Sequence, residues 1–222
     1  PEDPLLFLEY HRQFTHSLIF IPFGSLLVSL FCWKLFKHGL NFKEVYLFCF
    51  LGYATHGLLD ACTTYGTLLL WPFSDTRFAW NNISIIDPLL TLPMLTFVIL
   101  SITRKTNLFS RVAVIWVVLY LTVGLIQRER AIEAGYEIAS SRAHQPTRLE
   151  AKPSFGNILL WKIVYEQENF FYVDAVRVGI TPRVYEGTKT EKLDLDKHFP
   201  WLEIDSQQRR DCLLYTSDAA DE

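Results

Sequence analysis

His56 and Asp60 stand four residues apart in the run His56-Gly-Leu-Leu-Asp60. On a helix that spacing sets both side chains on one face, one turn apart. A neutral imidazole and a carboxylate are ligands that zinc and similar divalent ions accept. The same pair also suits a plain helix end, with Asp60 on backbone amides or an arginine and His56 hydrogen-bonded within a bundle. A second cluster, His11-Arg-Gln-Phe-Thr-His16-Ser17, precedes the first long apolar run. Arg12 and His16 share a helical face, whereas His11 can converge with His16 only from an entry loop. Thr15 or Ser17 is suited to cap the helix that follows. Together the clusters offer His11, His16, His56 and Asp60 as ligands for one ion, with Arg12 as a candidate catalytic group. Burying such groups in lipid is costly, so in an apolar chain they call for an explanation.

The loop beyond Asp60 adds further candidates. Thr63, Thr64 and Tyr65 can donate hydrogen bonds behind metal ligands, and Thr64 and Tyr65 are also candidate substrate contacts. Arg77 matches a phosphate or carboxylate on a substrate, or a lipid headgroup. Trp71, Phe73, Phe78 and Trp80 suit a membrane interface. Asp87 before Pro88 fits a helix N-cap with proline at the first helical position; it is also carried as a catalytic candidate.

Those residues must be positioned by an uneven chain. Half of its 222 residues are hydrophobic, but the apolar share is concentrated before about residue 126 and the remainder is mixed and charged. Leu18 to Phe36, Val45 to Leu59, Ile83 to Ile102 and Val112 to Ile126 read as membrane spans. Four such runs separated by short polar loops favour a membrane over a buried core. The expected fold is therefore an all-α polytopic membrane domain of about four transmembrane helices over residues 1–141, with a small C-terminal β-rich region. Lys34, Lys37 and Lys43 follow the first run, and Arg104, Lys105 and Arg111 follow the third. The positive-inside rule puts these loops in the cytoplasm and the His and Asp candidates on the opposite face. Arg128 and Arg130 run against that orientation.

The fourth helix is expected to continue past the bilayer and end near Ser140-Ser141, followed by a linker over 142–154. Residues 155–210 read as a small extracytoplasmic β-rich region. Strands are expected over 157–166 and 170–179 around a turn at 167–169, with a further strand at Arg183 to Glu186. A formal charge of −3 offers no basic footprint for nucleic acid. Cys32, Cys49, Cys62 and Cys212 show no paired spacing, and the first three suit small buried hydrophobes. The chain opens on Pro1-Glu-Asp-Pro4 and its one methionine is Met94, so an N-terminal piece is expected to precede it. Residues 211–222 resemble adapter read-through or a disordered acidic tail and are set aside from the fold.

The runs His11-Arg-x-x-Thr-His16-Ser, His56-Gly-Leu-Leu-Asp60-x-x-Thr-x-Tyr65-Gly-Thr-x-Leu-Leu-Trp71-Pro-Phe-Ser74 and Asp87-Pro resemble bacterial inner-membrane proteins called membrane-bound metal-dependent hydrolases. That family is held to be related to the zinc phospholipase C and nuclease group. The resemblance extends to Leu160-Trp-Lys-Ile-Val-Tyr165. It implies a multi-pass inner-membrane protein with a divalent-metal site, zinc above all, that hydrolyses a phosphoester or lipid-like substrate at the membrane surface. By motif, His11, His16, His56 and Asp60 match the ligand positions, with Arg12 and Asp87 nearby. The family usually begins with a short apolar segment carrying a further His and a Pro-Asp-x-Asp motif, absent here, so further ligands are expected outside this sequence. The competing expectation is a non-catalytic membrane protein, transporter-like or envelope-structural, whose His/Asp cluster binds a metal or a proton. Membrane lipid is the expected partner, and the oligomeric state is left open.

Overall fold

A computed structural model describes residues 12–36, 39–204, 206, 208, 209 and 212. The chain divides into two compact units, Pro1–Trp80 and Asn81–Glu222.

The first unit holds a 3-10 turn at Phe14–His16 and two helices, α1 (Ile21–Phe36) and α2 (Phe42–Ala61). Asn41 starts α2 with a capping box: its side chain accepts from the Glu44 amide, and Glu44 accepts from the Asn41 amide. Helix α1 begins at Ile21 rather than Leu18. The Ser17 hydroxyl donates to the Phe14 carbonyl at 2.8 Å and closes the 3-10 turn instead of capping α1. The loop after α2 folds back on this entry segment. The Leu68 amide donates to the Arg12 carbonyl at 3.1 Å, and the Leu18 amide to the Leu69 carbonyl at 2.9 Å. Thr67 and Phe78 exchange both backbone bonds across the base of the loop, at 3.1 and 2.9 Å.

The second unit combines α3 (Pro88–Arg104), α4 (Asn107–Ser141), strands β1 (Arg148–Pro153), β2 (Leu160–Gln167), β3 (Phe170–Val178) and β4 (Pro182–Glu191), and a short α5 (Leu195–His198). The strands form an antiparallel meander in sequence order. Trp161, Ile163 and Tyr165 alternate inward on β2, and Asp174, Val176 and Val178 do so on β3, as the two-residue strand period requires. They pack against the C-terminal half of α4, where Ala131, Ala134, Gly135 and Ala139 are buried. Small residues are needed there: a Cβ on Gly135 would lie 2.9 Å from the Ile163 methyl and 3.2 Å from Leu149. The entry to α3 is held the same way. A Cβ on Gly124 would lie 2.6 Å from the Asn82 carbonyl, and Trp116 Nε1 donates to the Leu89 carbonyl at 3.2 Å.

The four-span, all-helical expectation is corrected. Among the described residues, one helix is long and apolar enough to cross a membrane, α4 of 35 residues. Helices α1 and α3 have 16 and 17 residues. At 1.5 Å per residue they reach about 24–26 Å, short of a hydrocarbon core of about 30 Å. The run at Ile83 loses its start because Asp87 caps the helix and Pro88 opens it, leaving residues 83–86 outside. Helix α2 reaches 20 residues but carries Lys43, Glu44, His56 and Asp60. The remainder is also not a helical domain with a minor appendage, because a four-stranded sheet packs directly on α4. Residues 142–154, read as a linker, contain β1. That strand is completed by six register pairs with β2, from Arg148 opposite Glu166 to Pro153 opposite Trp161. Helix α4 ends at Ser141, the β2–β3 hairpin turns at Glu168-Asn169, and the short run at Arg183 extends into the ten-residue β4.

Candidate metal centre

Three of the proposed ligands converge in the first unit. Helix α2 presents His56 and Asp60 from successive turns, and the 3-10 turn brings His16 against them. His16 Nε2 lies 3.0 Å from Asp60 Oδ2, and His56 Nε2 lies 3.8 Å from the same oxygen. The two imidazole rings are 5.0 Å apart between centroids. One donor atom from each of the three residues falls within 4.8 Å of the others. His11 lies outside the described residues.

Two residues not singled out in the sequence make this approach possible. A Cβ on Gly57 would stand 2.9 Å from the His16 carbonyl, so only glycine lets the 3-10 turn rest on α2 here. A Cβ on Gly24 would collide with the Tyr53 ring, at 2.7 Å. Tyr53 crosses α1 at that point and its hydroxyl donates to the Thr15 carbonyl at 2.8 Å. The readable signal was a glycine beside a candidate ligand on an apolar helix.

Around the ligands lies a partial second layer. Arg12 Nε is 3.6 Å from Asp60 Oδ2. Its Nη1 donates to Thr63 Oγ1 at 2.9 Å, and the guanidinium stands over the Tyr65 ring, 5.3 Å from its centroid. Thr63 in turn donates to the Asp60 carbonyl at 2.7 Å. Thr15 does not cap a helix; its hydroxyl lies 2.9 Å from His16 Nδ1. A hydroxyl both donates and accepts, so Thr15 supports either His16 tautomer. It can accept from Nδ1–H, the form that leaves the Nε2 lone pair for a metal. Asp60 and His16 are largely enclosed, with side chains 20% and 17% exposed, while the His56 side chain is 61% exposed and opens the centre on one side.

The other candidates fall into different settings. Thr64 is half-buried and Tyr65 exposed, next to the centre in sequence. Arg77 is exposed, and its Cβ lies 3.0 Å from where a Gly66 Cβ would be. Asp87 belongs to the second unit, where it is buried and structural. Its Oδ1 accepts from the Leu89 and Leu90 amides at 3.1 and 3.3 Å, and its Oδ2 accepts from the Tyr120 hydroxyl at 2.7 Å. Oδ1 thereby caps α3, and Oδ2 ties that cap to α4 through Tyr120.

A family described as YdjM inner membrane protein matches residues 2–131, which include His16, His56, Asp60 and most of α4. Inner membrane protein YbcI of Escherichia coli (strain K12) is 39% identical over 79 residues, 34% of this chain and 44% of that protein. Uncharacterized protein YfhP of Bacillus subtilis (strain 168) is 30% identical over 83 residues, 37% of this chain and 25% of that protein. The chain thus spans less than half the length of these curated relatives. No solved structure matches it. These likenesses bear out a bacterial inner-membrane family and do not extend to a hydrolase group. With more than half of its residues matched, the chain belongs to the YdjM inner membrane protein family.

Proposed function

We propose that this membrane protein is a metal-dependent hydrolase whose ion, zinc above others, is held by His16, His56 and Asp60. The observation that carries the reading is the meeting of two imidazoles and a carboxylate within 4.8 Å of one another. Ligand atoms on one zinc ion stand about 3–4 Å apart, given bonds near 2.0–2.1 Å. Three protein ligands with one open side suit a catalytic rather than a structural ion. A bound zinc supplies activation of water and polarisation of a phosphoryl or acyl oxygen. The chain's own residues do the rest: Thr15 orients His16, Arg12 steadies Asp60, and Arg77 and Tyr65 offer contacts for an anionic, phosphoester or lipid-like substrate.

The orientation proposed places the sheet, at the C-terminal end of α4, on the periplasmic side. Arg104, Lys105 and Arg111 flank the start of α4. Positive charge favours the cytoplasmic side. A periplasm-dependent reporter fused after Phe199 is expected to be active, and activity of a cytoplasm-dependent one there reverses the assignment.

A second reading has its own support. The His16–Asp60 bond at 3.0 Å and the Arg12 charge nearby satisfy the carboxylate within the protein, as a proton-binding or purely structural cluster would. Zinc titration of the purified protein separates the two. One ion per chain is expected, weakened at least tenfold in Asp60→Ala. No stoichiometric ion at micromolar zinc overturns the metal assignment. Binding without cleavage of phosphodiester or phospholipid probes overturns the hydrolase and leaves a non-catalytic metal protein.

A further inference from the structure

From Asn107 to Gln127, helix α4 rises about 30 Å, the thickness of the hydrocarbon core. Over this length Val114, Ile115, Val118, Leu119, Val123 and Ile126 are exposed. Gln127 and Arg130, where the charged part of α4 begins, grip one end of the sheet. Gln127 Nε2 donates to the Val178 carbonyl at 2.8 Å, and Arg130 Nη2 donates to the Gly179 and Ile180 carbonyls at 2.6 and 3.2 Å. The β3–β4 turn is therefore pinned at the boundary of the apolar stretch.

The neighbouring β1–β2 loop sits at the same end of the meander. The Gly156 amide donates to Ser84 Oγ at 3.1 Å. Ser84 belongs to the segment that the Asn82–Gly124 approach and the Asp87–Tyr120 bond set beside residues 120–124 of α4. That level is about 5–10 Å from Gln127 toward the apolar part of α4, at 1.5 Å per residue. The tips that stand here are apolar and open. Ile180 is fully exposed, Phe155 is 75% exposed, and Leu159, Ile85 and Ile86 are exposed beside them.

Charge completes the pattern. Arg177 on β3 and Arg183 on β4 are register partners just behind the Ile180 turn. Both are exposed, and neither forms an ion pair among the described residues. Like charges directly opposed across a sheet destabilise it unless an anion lies between them. Guarding a sheet edge against aggregation accounts for a charge on β4, the edge strand, but not for Arg177 on the interior strand.

We infer that the β1–β2 and β3–β4 tips dock into the headgroup region of the bilayer that α4 crosses, with Phe155 and Ile180 as apolar anchors and Arg177 and Arg183 on anionic lipid phosphates. The surface is continuous with the lipid-facing side of α4, and basic residues behind apolar anchors match an anionic interface. The test uses the full chain in nanodiscs of phosphatidylethanolamine and phosphatidylglycerol at 3:1. Photoreactive benzoylphenylalanine is placed singly at positions 155, 180, 118 and 169. Position 118 lies on α4, and position 169 lies in the β2–β3 turn at the far end of the sheet. Lipid adducts at 155 and 180 should approach the yield at 118 and exceed that at 169 at least fivefold. Yields at 155 and 180 no higher than at 169 overturn the docking. The double variant R177E/R183E should lower the adduct yield at 180 at least threefold while leaving that at 118 unchanged. An unchanged yield at 180 overturns the arginine contact. If the double variant does not fold, Arg177→Gln alone is read in the same way.

Discussion

Two clusters in this molecule join an arginine, a histidine and an aspartate, and they differ in how completely the carboxylate is used. In the second unit, Asp174 on β3 is almost fully enclosed, its side chain 2% exposed. Arg142, just past α4, donates to both its oxygens, at 2.6 and 2.9 Å, and the Gly187 amide donates at 2.9 Å. Arg142 also donates to the Tyr165 hydroxyl at 3.0 Å, and that hydroxyl lies 3.0 Å from His144 Nδ1. Tyr165 stacks on Tyr172 with centroids 5.0 Å apart. Both Asp174 oxygens have protein donors, and a ligand for that carboxylate would have to break a bond to enter. In the first unit, Asp60 meets two imidazoles and Arg12 at 3.0–3.8 Å, and His56 faces outward. The closed cluster clamps a sheet to a helix. The open one leaves the His56 ring exposed beside the carboxylate, which is the access a metal site needs. Residue type is shared; geometry and exposure separate the roles.

The sharpest way to break this contrast is to remove the charge from the closed cluster. Asp174→Asn leaves Arg142 beside a buried neutral group, and breaking a buried ion pair costs about 3–5 kcal/mol. A value near about 3 kcal/mol is expected, because Arg142 keeps some water contact and so stands at the low end of that range. A fall in the thermal unfolding midpoint of the purified protein reads it. Stability within about 0.5 kcal/mol of the parent would mean that the pair does not clamp the sheet.

Gly57→Ala tests how the open cluster is assembled. A methyl 2.9 Å from the His16 carbonyl must push the 3-10 turn off α2, and overpacking of this kind costs about 1–3 kcal/mol. Zinc affinity should fall with it, because His16 moves away from His56 and Asp60. Retained affinity would show that His16 is not a ligand.

His56→Ala should divide the two clusters most clearly. Zinc binding is expected to weaken at least tenfold, about 1.4 kcal/mol. Folding stability should change by less than about 0.5 kcal/mol, as for an exposed side chain. A large loss of stability with unchanged zinc binding would make the first cluster a second clamp.

The smallest effect expected is one of pH on the sheet. Burial alone would raise the Asp174 pKa, but the Arg142 hydrogen bonds, the Gly187 amide and the Arg142 charge outweigh it and hold the carboxyl below its ordinary range. The folded pKa is therefore lower than the unfolded value of about 3.9. The contribution of Asp174 to stability is complete above that value and is lost as pH falls through the lower folded one. Unfolding midpoints in Asp174→Asn should accordingly lose part of their acid dependence below about pH 4. An acid limb unchanged from the parent would assign that dependence to other carboxyls.

What the sequence determined by itself was local. The four-residue spacing of His56 and Asp60 puts both on one helical face whatever surrounds them. Asp87-Pro88 encodes a helix start through an acceptor side chain and a preset φ. The apolar run continued by good helix formers carries α4 to Ser141. The pairing of His16 with the α2 residues, the strand β1 and the Arg142–Asp174 clamp were decided by tertiary structure. Each depends on partners far along the chain: Gly57 and Tyr53 for His16, the β2 backbone for β1, and the turn of the meander for Asp174. Hydropathy likewise counts apolar residues without knowing where a cap ends a helix. Of the four runs, one therefore becomes a helix both long and apolar enough to cross a membrane among the described residues. Caps and close glycine contacts act over single ångströms, and only the folded backbone sets distances on that scale.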